Sequence, residues 1–202
     1  MGIKALIFDL EGVLLQTADE DLPTTLARQL GRPVEEVRPV FYSDINDLVD
    51  LGQGTQEDFW DHILRSLGLP QEDRHILEKF YETELYIDPR MLAAVRAYRK
   101  CYKTGMLSNY TSDLRGRLET HWSVDGAFDE IIISCEVGLI KPDSAIYHLM
   151  LERLGCHAEE SVFVDDKQIN TEAAAALGMH TVLFNSVEQG LAAIDAILSA
   201  EG

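Results

Sequence analysis

Five short apolar runs, spaced along the chain and separated by helix-like stretches, constrain this sequence more than any other feature. They lie at residues 3–8 (IKALIF), 104–107 (TGML), 130–133 (EIII), 161–164 (SVFV) and 181–184 (TVLF). Runs this short, apolar throughout rather than alternating, read as strands buried on both faces. Between the later runs the period changes to that of a helix. Asp88 and Pro89 precede RMLAAVRAYRK as an N-cap and first-turn proline, and AIYHLMLERLG and TEAAAALG each end in glycine. Strand alternating with helix implies a doubly wound, Rossmann-like α/β domain around a parallel sheet.

Residues 17–87 break that rhythm. The stretches DLPTTLARQLG, TQEDFWDHILRSLG and QEDRHILEKFYETEL are helical in pattern, and no convincing strand separates them. The expected organisation is therefore an α/β core from residues 1–16 and 88–202, with 17–87 inserted as a helical cap. The GQGT of residues 52–55 lacks the third glycine and preceding strand of a dinucleotide fingerprint and reads as a turn into a helix capped by Thr55. At 202 residues and 46% hydrophobic, the chain is large enough to bury such a core.

A formal net charge of -18 with no basic patch argues against nucleic acid and anionic lipid as partners. A small anionic substrate is compatible with it, because a metal and one or two placed cations invert the field locally. Cys101, Cys135 and Cys156 are widely spaced and form no CxxC pair, as expected of reduced thiols in a cytoplasmic protein. No apolar run approaches membrane-spanning length.

The candidate chemistry lies at the strand ends. Ligands of open parallel sheets bind beyond the carboxyl ends of the strands. There the first run meets Asp9 and Glu11, the second Ser108 and Asn109, and the fourth Asp165 and Asp166, while Lys141 and Pro142 stand just before a helix. Taken singly, each pair has an ordinary reading as a turn, a helix cap or a loop. Taken together, four carboxylates, a hydroxyl and an ammonium would surround one pocket. That many acids call for a divalent cation, and oxygen-only ligands favour magnesium over zinc.

The segments FDLEGVL, LSN, KP and FVDDKQIN, in that order and at these separations, resemble the four signature motifs of the haloacid dehalogenase superfamily. The resemblance spans essentially the whole chain, and from residue 128 onward it follows the magnesium-dependent phosphatase branch, whose helical cap matches the insertion. It implies Asp9 as the nucleophile and as a magnesium ligand, with Asp166, Asp165 and the backbone carbonyl of Glu11 completing the metal set. Ser108, Asn109 and Lys141 would hold the phosphorylated substrate, Lys141 also neutralising the transferring group. Glu11 stands where the phosphatases carry an aspartate that protonates the leaving alcohol. The implied activity is a magnesium-dependent phosphoric monoester hydrolase acting on a small phosphorylated metabolite, sugar phosphates being one class. A haloacid dehalogenase, a phosphoryl mutase and a non-catalytic phosphate-binding protein with Glu11 as the disabling change are the alternatives. The paired acids Asp165 and Asp166 speak against a dehalogenase.

Overall fold

The computed structural model describes residues 2–17, 21–83, 85–124 and 126–201, and the side chains of 81–83 are not among them. Its centre is a five-stranded parallel sheet: β1 (Ala5–Phe8), β4 (Lys103–Ser108), β5 (Glu130–Ile133), β6 (Ser161–Asp165) and β7 (His180–Leu183), in the order β5-β4-β1-β6-β7. The five apolar runs are these five strands, displaced by no more than two residues at an end. β1 is buried along its whole length. Leu6 and Phe8 enter one apolar cluster while Ala5 and Ile7 enter the other, so both faces of the sheet are covered.

Leu6 and Phe8 pack with Met91 and Val95 of α6 (Pro89–Tyr98) in the larger cluster. Ile7 packs with Ile146, Tyr147 and Met150 of α9 (Ser144–Leu154) on the opposite face. The local signals operate as their chemistry requires. Asp88 accepts hydrogen bonds from the Arg90 and Met91 N–H groups, and α9 ends at Gly155 in the left-handed conformation. A final helix, α11 (Val187–Glu201), follows β7.

Between β1 and α6 the described residues form β2 (Leu15–Thr17), five α-helices, a 3-10 turn at Gln71–Asp73 and β3 (Leu85–Ile87). The helices are α1 (Leu22–Leu30), α2 (Val34–Phe41), α3 (Asp44–Asp50), α4 (Gln56–Ser66) and α5 (Arg74–Thr83). Three of them coincide with the predicted helical stretches, and Thr55 closes a capping box with Asp58 at the start of α4. Two findings differ from the sequence-based expectation. β2 and β3 pair antiparallel where no strand was expected, because three-residue strands carry too few positions to display a period. α2 and α3 also lie in the segment; Pro39 sits inside α2, and three aspartates crowd the seven residues of α3, so neither reads as a regular helix.

Candidate active site

The strand order decides which side chains meet. β1 lies between β4 and β6, and the chain winds outward through β4 and β5 before returning to β6 on the other side. The sheet therefore reverses direction beside β1, the switch point where backbone ends splay and leave a crevice. Phe8 pairs with Met106 and with Val164, which brings Asp9, Ser108 and Asp165 to one edge within a residue of the same level.

At the centre of that crevice Lys141 Nζ lies 2.7 Å from Asp9 Oδ1 and 2.7 Å from Asp165 Oδ2, all three side chains being at least 95% buried. The ammonium also sits 5.6 Å above the centre of the Phe163 ring. Lys141 reaches this position because its main chain is held at both ends by one side chain. Asn109 Oδ1 accepts from the Lys141 N–H at 2.8 Å and Asn109 Nδ2 donates to the Lys141 carbonyl at 3.0 Å. Asp165 is equally constrained: Asn170 Nδ2 donates to both its oxygens at 3.1 Å, and the Lys167 N–H donates to Oδ1 at 2.8 Å. Tyr147 then donates to the Asn170 carbonyl at 3.1 Å. Asp9 accepts a hydrogen bond from the Leu10 N–H at 2.7 Å.

Asp9, Asp165 and Asp166 form a group whose carboxylate oxygens lie within 4.8 Å of one another. Three observations suit a bound cation there. Burial, followed by the neighbouring acids, lifts the Asp9 carboxyl well above its ordinary range although Lys141 opposes the shift. Partial desolvation also lifts Asp166, with Lys167 as the main opposing charge, and the four carboxylates Asp9, Glu11, Asp165 and Asp166 outnumber the two lysines beside them. Finally, Gly12, at φ 80°, leaves no room for a side chain: a Cβ there would stand 2.4 Å from Asp166 Oδ2. The tight turn thus presses the backbone next to Glu11 against Asp166.

Glu11 lies on the turn that closes from Leu10 to Leu15, where the Leu14 and Leu15 N–H groups donate to the Leu10 carbonyl. Burial raises its pKa, and Lys167 pulls the other way. The Ser108 hydroxyl is buried and has no hydrogen-bond partner among the described residues, which leaves it available to a ligand. Every residue singled out from the sequence is therefore at this strand edge or on the loops beside it. Lys167 was not singled out, although it directly follows the paired acids; its ammonium is held well above its ordinary pKa, burial being outweighed by Glu11, Asp9 and Asp166.

Above the cluster is a cavity of about 320 Å³, roofed by α3 and by the start of α4 and floored by Asp9, Glu11, Lys141 and Lys167. Roof and core meet, among other places, at Thr111 and at Gly52. Thr111 Oγ1 donates to Gln56 Oε1 at 2.6 Å, and Gly52, at φ 72°, lies so near the Cys135 carbonyl that a Cβ would come within 2.5 Å of it.

The chain is thus a doubly wound α/β protein whose switch point holds a buried Asp–Lys–Asp triad and a third carboxylate. Residues 3–178 match the model of the haloacid dehalogenase-like hydrolases, and the chain belongs to that family. Over 223 aligned residues it is 29% identical to bifunctional epoxide hydrolase 2 of Sus scrofa, covering 100% of this chain and 40% of that protein's length. A phosphatase of Mycobacterium tuberculosis is 28% identical over 221 residues, with 100% of both chains covered. The crystal structure of a family enzyme from Bacteroides thetaiotaomicron, in complex with magnesium and inorganic phosphate, superposes with a TM-score of 0.76 at 24% identity, covering 92% of this chain and 96% of that one. At that identity the likeness speaks for the fold.

Proposed function

We propose that this hydrolase is a magnesium-dependent phosphatase that cleaves a small phosphate monoester through an aspartyl-phosphate, with residues 17–87 acting as the cap over its site. The observation that carries the proposal is the Asp9–Lys141–Asp165 triad beside Asp166. One carboxylate is held against an ammonium and next to a further acid, an arrangement suited to nucleophilic attack on a negatively charged group.

An Asp9 oxygen attacks phosphorus and the bond to the ester oxygen breaks. Lys141 stabilises the charge on the transferring phosphoryl group, and the Ser108 hydroxyl donates to one of its oxygens. Glu11, whose raised pKa suits an acid, protonates the departing alcohol; as a carboxylate it then takes a proton from the water that attacks the aspartyl-phosphate, releasing phosphate and restoring Asp9. Asp165 has its oxygens engaged by Lys141, Asn170 and the Lys167 N–H, and we assign it to holding Lys141 in place. Asp9, Asp166 and the Glu11 carbonyl would hold magnesium, whose charge would offset that of the phosphate.

Hydrolysis of an aryl phosphate by the purified protein, with magnesium and with EDTA, tests this reading. Phosphate release should require magnesium and disappear in Asp9→Asn, which should remain folded by circular dichroism. Release by Asp9→Asn at the wild-type rate would remove Asp9 as the nucleophile.

A further inference from the structure

The cations that line the cavity are confined to its floor, where Lys141 and Lys167 stand beside Asp9 and Glu11, whereas α3 contributes Asp44, Asp47 and Asp50 at intervals of three residues, which puts all three on the cavity side of one helix. Asp50 is half-buried, and none of the three carboxylates has a hydrogen-bond or ion-pair partner among the described residues. Among the described residues no arginine or lysine from the roof lines the cavity. Arg38 of α2 is turned elsewhere, donating to Asp21 at 2.5 Å and Thr24 at 3.1 Å. A reason to expect a ligand at the crevice that does not depend on these acids is the Ser108 hydroxyl at the strand edge, which is buried, has no hydrogen-bond partner among the described residues and is free to donate to one.

We infer that the leaving group of the substrate is cationic: the preferred ester is a small phosphate monoester bearing an amine or quaternary ammonium, with Asp47 and Asp50 as its specificity-determining residues. The inference rests on the phosphatase reading for the placement of the phosphate at the floor. Given that placement, the remainder of the substrate faces α3. An anionic remainder, such as the carboxylate of a phosphorylated hydroxy acid or a second phosphate, meets three negative charges with no cation to receive it. A neutral alcohol can hydrogen-bond to that wall but leaves the charge of its carboxylates uncompensated, while an ammonium both donates to the unpartnered carboxylates and offsets their charge. The state of Asp50 is compatible with this: chiefly burial, then the charge on Glu11, pushes its carboxyl up to about 7, a shift that an ammonium beside it would oppose. Phe41, Tyr42 and Phe59 border the same space, so its lining is aromatic as well as acidic, a combination that suits a cation. At about 320 Å³ the cavity suits a phosphate with a short organic chain rather than a nucleotide.

The test measures binding and turnover separately. Titration calorimetry at pH 8 with magnesium compares 2-aminoethylphosphonate, ethylphosphonate and phosphonoacetate, which present cationic, neutral and anionic ends behind a non-hydrolysable phosphonate. The amine should bind about tenfold tighter than the neutral compound, a difference of about 1.4 kcal/mol, and the carboxylate weakest. Asp50→Asn and Asp47→Asn should each shrink the amine-to-neutral ratio at least threefold, and Asp50→Glu should restore part of it. Equal affinities, a preference for the neutral or anionic compound, or no binding of any of them overturns the inference. If aryl phosphate is still hydrolysed in that case, the phosphatase reading stands alone. If the binding order holds but no ester is cleaved, the phosphatase reading falls and the cation-selective cavity remains.

Discussion

Replacing Lys141 by methionine keeps much of the apolar stem and removes the one charge that Asp9 and Asp165 share. The expected cost follows from the geometry. Two charge-assisted contacts of 2.7 Å disappear, and two carboxylates with side-chain exposures of 5% and 0% are left facing each other. Breaking a buried ion pair by deleting one partner costs about 3–5 kcal/mol, because the remaining charge is desolvated and unpaired. For a chain of this length each kcal/mol lowers the melting temperature by about 2–4 °C, so a fall of roughly 6–20 °C is expected. Urea unfolding followed by fluorescence of the two buried tryptophans, Trp60 and Trp122, reads the change directly. EDTA should be present so that no cation substitutes for the ammonium. In the background of Lys141→Met, the further change Asp165→Asn should recover part of the loss, since it removes one of the two stranded charges. A loss below about 1 kcal/mol for Lys141→Met, or no recovery in the double variant, would refute the claim that Lys141 neutralises this site; both figures are read against the range for buried pairs.

Glu11→Asp shortens the proposed acid by one methylene. Turnover of an alkyl phosphate should change by tenfold or more, while an aryl phosphate, whose leaving group needs little protonation, should change much less; equal effects on both would remove Glu11 from proton transfer. Gly52→Ala should destabilise the protein more than Gly31→Ala. Both glycines have positive φ, which costs a non-glycine residue about 1–2 kcal/mol, but only Gly52 has a backbone carbonyl where the new Cβ would go. Equal melting temperatures for the two variants would show that the Gly52 contact with Cys135 yields freely. At Asp88, burial alone would raise the carboxyl, but the Arg90 side chain and the Arg90 and Met91 N–H groups together hold it below its ordinary range. A depressed carboxylate binds more protons when unfolded, so its stabilisation is present above the unfolded pKa near 4 and is lost as pH falls through the folded value. Asp88→Ala should therefore cost about 1 kcal/mol at pH 7, with the deficit narrowing below about pH 4; a constant deficit in urea unfolding would show that the charge is irrelevant to the cap.

The sequence by itself determined the elements whose cause is local. A strand buried on both faces must be apolar at every position, so β1, β4, β5, β6 and β7 are visible as uninterrupted runs. The capping of α4 by Thr55 and of α6 by Asp88 is written in residues that touch their own helix. Asp9, Glu11, Ser108, Lys141, Asp165 and Asp166 could be singled out because they stand at strand ends or just before a helix within four segments that, in their order, resemble the family's motifs; position alone gave each pair an ordinary reading as a turn, cap or loop. What the tertiary structure alone decided is non-local. Strand order brings Asp9 and Asp165 to one lysine across 156 residues of chain, and two three-residue strands too short for any pattern close the base of the helical insertion. The aspartates of α3 carry, along the chain, no sign of a site, because they lie in a segment whose sequence does not read as a regular helix. Only the folding of that helix over the Asp9 crevice turns their charge toward the cavity, because a side chain's field acts through space and not along the sequence.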